Sequence, residues 1–181
     1  MASGDWKEIE TLVEGDRLQG LGGEINTGKG LWKPLLGAHR SLYEINGEFR
    51  TTGDHMLWTR DGWGAILPDL YRVLRYESLL YCEDLQVFVQ GVIDPDKLAV
   101  VTEGCQMPVH GGDVKAVFRV ETLDASPDTP LYCPILDGNQ SFVIQGGYYA
   151  EGVLGIHVPA QLLSPENLVL REVMRETPVV P

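Results

Sequence analysis

The sequence predicts an all-β domain of short strands and tight hairpins. Twenty-one glycines and eleven prolines cut its 181 residues into short apolar runs, about eight to twelve residues apart, the spacing of strands joined by turns. The dipeptide Asp61-Gly62 lies between two such runs, His55 to Thr59 and Trp63 to Ile66, a strong local signal for a hairpin. A third run, Val114 to Val120, partly alternates polar and apolar residues, as a half-buried strand does.

Taken along the chain, the elements fall in this order. Gly20 to Gly30 (GLGGEINTGKG) is glycine-rich but lacks the spacing of a phosphate-binding loop, and it reads as a mobile hairpin. Phe49 to Thr52 reads as a strand, followed by the Asp61-Gly62 hairpin. Pro68 to Leu80 puts Leu70, Tyr71 and Leu74 on one face of a predicted helix. Leu85 to Val89 and Val114 to Val120 are further strands, and His110-Gly111-Gly112-Asp113 reads as a turn. Ser164-Pro165-Glu166-Asn167 has the form of a helix start, opening Leu168 to Arg175. The tail Thr177 to Pro181 is closed to helix and central strand by its prolines. The chain thus divides into a domain, 1–153, and an extension, 154–181, of loop, short helix and Pro-rich tail. That extension reads either as a frayed terminus or as an arm that orders on a partner. The stretches Leu42 to Phe49 and Leu131 to Phe142 share a Leu-Tyr, Ile, Gly, Phe pattern. This echo gains weight only if the fold has two related halves.

Composition narrows the function. Apolar residues make up 44% and charged residues 22%, the balance of a globular domain. The formal net charge of −12 and the scatter of the basic residues speak against nucleic acid, whose phosphates need clustered Lys and Arg. No apolar run is long enough for a membrane span, and no secretory signal opens the chain. Cys82, Cys105 and Cys133 are odd in number and form no CxxC pair, so they read as reduced thiols rather than a disulfide frame or a zinc site. His39, His110 and His157 stand without a Cys or His at ligand spacing, and no metal or other cofactor is expected. Ser141 has no nucleophile elbow around it. Trp6, Trp32, Trp58 and Trp63 read as core or hairpin-packing residues.

Three segments in order resemble one superfamily, the Hint (hedgehog/intein) domains. Trp6 to Leu18 (WKEIETLVEGDRL) is similar to its first-half signature. Leu42 to Ile66 is similar to the next element, with a T-x-x-H motif at Thr52 and His55 and the D-G-W hairpin after it. Leu131 to Val143 (LYCPILDGNQSFV) is similar to a late segment that usually reads N-H-S-F. The resemblance spans residues 1 to about 153 and implies a compact pseudo-two-fold all-β fold. It also implies an ancestral chemistry, in which an N-terminal Cys or Ser attacks its own preceding carbonyl. The T-x-x-H histidine then protonates the leaving amide nitrogen. In splicing members a terminal His-Asn pair frees the other end by asparagine cyclisation.

Set against that chemistry, four parts are missing or replaced and two survive. The nucleophile would lie roughly ten residues before Gly4-Asp5-Trp6, ahead of Met1. Gln140 replaces the late-segment histidine, and an amide cannot shuttle a proton near neutral pH. Ala150-Glu151 fall where the His-Asn pair would stand, and glutamate lacks the amide nitrogen that cyclisation needs. Thr52 and His55 remain. Two readings of His55 stand at this point: a histidine hydrogen-bonded within a hairpin, or an acid–base residue whose nucleophile lies upstream. The expectation is a catalytically silent structural or assembly domain, similar to those of bacteriophage tail and virion proteins. Its expected place is the virion, or the cytoplasm during assembly, where it contacts other protein subunits through acidic faces and the C-terminal arm. The alternative is a self-cleaving or splicing domain.

Overall fold

The computed structural model describes residues 1–76, 80–82, 87–90 and 93–157. Its strands are β1 Arg17–Gln19, β2 Ile25–Trp32, β3 Leu42–Ile45, β4 Phe49–Thr52, β5 Leu57–Thr59, β6 Gly62–Ala65, β7 Leu80–Cys82 and β8 Val87–Gln90. They continue as β9 Ala99–Val100, β10 Gln106–Pro108, β11 Val114–Ala116, β12 Val120–Leu123, β13 Cys133–Leu136, β14 Ser141–Val143, β15 Tyr149–Glu151 and β16 Leu154–His157. They form small sheets in the orders β1-β2-β13, β12-β3-β4, β14-β15-β5-β6-β9, β16-β8-β7 and the ribbon β10-β11. The all-β expectation holds.

Strand order places the core between halves distant in sequence. β2 pairs antiparallel with β13, Trp32 opposite Cys133, and β15 pairs with β5 through Ala150 and Leu57. Leu18, Ile45, Phe49, Leu57, Met107, Val117, Leu136, Phe142 and Tyr148 fill the space between the sheets. The Phe49 and Tyr148 rings meet with centroids 4.9 Å apart, a contact that adds to their burial.

Several elements differ from expectation, each for a local reason. The Asp61-Gly62 hairpin forms, but Thr59 and Gly62 close the loop, so Arg60-Asp61 is the turn. The Thr59 hydroxyl donates to the Gly62 carbonyl at 2.7 Å and accepts from the Asp61 amide, which selects that register. The helix from Pro68 is a single α turn, α1 Pro68–Tyr71, followed by a π turn over Arg72–Tyr76, and strand β7 has begun by Leu80. The strand Val114 to Val120 breaks into β11 and β12. At the break the Asn46 side-chain oxygen accepts from the amides of Phe118 and Arg119. The first four residues of the extension, Leu154 to His157, are strand β16, paired with β8. Leu85, Gln86 and the predicted helix and tail beyond residue 157 lie outside the described residues.

Trp32 is buried, whereas Trp6 is largely exposed. Trp58 and Trp63 face each other across the β5–β6 hairpin, centroids 5.2 Å apart.

Candidate functional site

The Thr-x-x-His spacing is the spacing of a tight turn. Thr52 ends β4, and the His55 amide donates to the Thr52 carbonyl at 3.3 Å. A turn of this span returns the fourth residue to the first, so motif and turn share one cause. Gly53 lets Leu67 pack against the turn, because a Cβ on it would lie 2.7 Å from a Leu67 methyl carbon and push that side chain away.

Strand β15 then delivers the C-terminal part of the site. The Glu151 amide donates to the Met56 carbonyl at 3.0 Å. The Glu151 carbonyl in turn receives the His55 imidazole, with Nε2 2.9 Å from the oxygen. A carbonyl only accepts, so Nε2 carries the proton and Nδ1 the lone pair. The Cys133 thiol donates to the same oxygen at 3.8 Å. Thr52, His55 and Glu151 therefore meet, though 96 residues separate the last two. Ala150 is buried beneath them, paired with Leu57. Gln140 sits in the turn before β14 with φ of 60°, and its carbonyl accepts from the Gly152 amide. Among the described residues, no hydrogen bond joins the Gln140 side chain to His55.

Around this backbone lies a buried charged cluster that the sequence did not reveal. Asp54 is 1% exposed, Arg75 4% and Glu151 3%. Arg40 Nε lies 3.5 Å from Asp54 Oδ1, and Arg75 Nη1 lies 3.9 Å from Asp54 Oδ2. The Arg75 guanidinium also stacks 5.3 Å from the Trp32 ring centroid. Nearby, the Tyr71 hydroxyl donates to the Ile93 carbonyl at 2.9 Å. The missed signal was slight: Asp54 stands inside the motif, and Arg75 belongs to the densest pair of arginines in the chain.

Burial and charge set the protonation states. Burial, reinforced by Arg75, pushes the His55 imidazole down to about 4, against the pull of Asp54. Burial also opposes charge on Asp54, but Arg40, Arg75 and the Thr52 hydroxyl outweigh it and hold the carboxyl below its ordinary range. Burial raises Glu151 to about 7, with Arg75 acting against the rise. The buried Cys133 thiol goes up to about 12. At neutral pH the site thus holds a neutral imidazole and a protonated thiol, both donating to one main-chain carbonyl. Chemically, that polarises the Glu151–Gly152 peptide. It leaves His55 without a proton to give beyond the one already engaged, and Cys133 without thiolate character.

No family model matches the chain, and no curated protein matches it. Among solved structures it is similar to the crystal structure of the gp41-1 intein, with a TM-score of 0.51 and 16% sequence identity over 81% of this chain and 87% of that one. A variant of the same intein with three substitutions gives a TM-score of 0.48 and 15% identity over the same shares. The first likeness, at so low an identity, establishes an intein-like fold, the one implied by the resemblance of the three sequence segments.

Proposed function

We propose that this chain is a Hint-type domain whose autoprocessing centre serves as structure, making it a structural or assembly module rather than an enzyme. One observation carries the proposal: His55 donates its only imidazole proton to the Glu151 carbonyl, with burial and Arg75 keeping the ring neutral. The histidine of the motif is spent on holding the β4–β5 turn to β15. The residue at the ancestral cyclisation position is a glutamate, whose carboxyl cannot supply an amide nitrogen. The phage-particle setting rests on the sequence resemblance alone, as does contact with neighbouring subunits through the acidic surface and the extension beyond residue 157.

The test is intact-mass spectrometry of the protein made from its complete reading frame and held at neutral pH with a small thiol. A single unprocessed mass supports the reading. Cleavage or thioester capture that disappears in His55→Ala would replace it with the autoprocessing alternative.

A further inference from the structure

Four polar atoms of the buried cluster find no hydrogen-bond partner among the described residues: Arg40 Nε, Arg75 Nη2, Asp54 Oδ1 and Glu151 Oε2. Two are donors and two are acceptors. A fold leaves few such atoms, because each forfeits its hydrogen bond to bulk water and gains none in return. Asp54 joins them into one buried region, with Arg40 and Arg75 on its two carboxylate oxygens, and burial there calls for a further partner.

The charges select its chemistry. Two guanidinium groups repel a cation, and the Asp54 carboxylate together with the Glu151 carboxyl repels an anion. The ion pairs are also held apart, at 3.5 Å for Arg40–Asp54 and 3.9 Å for Arg75–Asp54. At those lengths neither pair makes a full hydrogen bond, which leaves room for a molecule beside them to bond to both partners. A neutral molecule with two protons to give and two lone pairs to fill matches the set. Water is the smallest that does, and buried waters make about three hydrogen bonds to otherwise unpaired groups.

We propose that the Asp54–Arg75–Glu151 cluster is a site for internal water, which accepts from Arg75 and donates to the carboxyl groups. The bound water completes the network that β15, the Thr52–His55 turn and the Arg72–Tyr76 turn build together. This proposal does not depend on whether the domain is silent.

A crystal structure of the full chain, at a resolution that shows ordered solvent, tests it. The expected result is a solvent peak within hydrogen-bond distance of Arg75 Nη2 and of Asp54 or Glu151. In the paired variant Arg75→Met with Glu151→Met, which removes a donor and an acceptor together, that peak is lost. Direct closure of Arg75 onto the carboxyl groups with no peak between them would overturn the proposal. So would a peak that refines as a halide or metal ion.

Discussion

Two of the buried polar centres among the described residues are built on opposite terms. The first is Asn46, in the turn between β3 and β4 with φ of 53°. Its amide nitrogen donates to the Ala116 carbonyl and the Tyr148 hydroxyl, each at 3.0 Å. Its amide oxygen accepts from the amides of Phe118 and Arg119. Every side-chain bond there closes within the fold. The second is the Asp54–Arg75–Glu151 cluster, where each of the three residues carries at least one atom without a hydrogen-bond partner among the described residues. The first centre is joinery: it ties the β3–β4 hairpin to the β11–β12 break and to the core. The second stands at the T-x-x-H turn. A satisfied network fixes one arrangement, whereas a partly satisfied one is strained by its own desolvation.

That difference sets the size of what mutation does. Asn46→Ala removes four hydrogen bonds and puts alanine at a positive φ. It should lower unfolding free energy by about 4 kcal/mol in chemical denaturation. Arg75→Met strips one of two counter-charges from a buried Asp54 and leaves Arg40, so the loss should be smaller, about 3 kcal/mol. A larger loss at Arg75 than at Asn46 would break the ranking of the two centres.

The pH dependence separates the contributors within the second centre. The folded-state value of Glu151, about 7, lies above its ordinary 4.5. Its contribution is therefore full below the ordinary value and is lost as pH rises to 7. His55 runs the other way: its folded value of about 4 lies below 6.5, so its contribution is full above 6.5 and is lost as pH falls. Between those ordinary values the two slopes oppose, and the site contributes little net pH dependence. Thermal melts of Glu151→Gln should then show stability rising with pH across that window. His55→Gln should show it falling.

His55→Gln also supplies the smallest expected effect. A glutamine amide can donate to the Glu151 carbonyl in place of the imidazole, so stability at neutral pH should drop by no more than about 1 kcal/mol. A much larger drop would mean that the ring does more than donate one proton.

Much of the fold was legible because its signals are local. Phe49 to Thr52 forms β4 as read, and His110 to Asp113 makes the turn between β10 and β11. The motif residues Thr52 and His55 were legible through the family resemblance, and the turn explains their spacing. The charged cluster was not legible, because Asp54, Arg75, Cys133 and Glu151 come from four separated segments, two turns and two strands, that only the tertiary fold brings together. The repeated Leu-Tyr pattern does not by itself say which strands pair. Leu42 to Phe49 forms a hairpin with its own continuation, but Cys133 to Leu136 pairs back to β2, and β14 pairs forward to β15. Similar turns do not dictate similar partners.

The tautomer and titration of His55 test the central claim most directly, read from the imidazole nitrogens by NMR on 15N-histidine-labelled protein. A donor fixed on the Glu151 carbonyl should appear as the neutral Nε2–H form, unchanged from pH 5 to 8. A protonation step within that range, or an Nδ1–H form, would show an imidazole free for acid–base work and contradict the account.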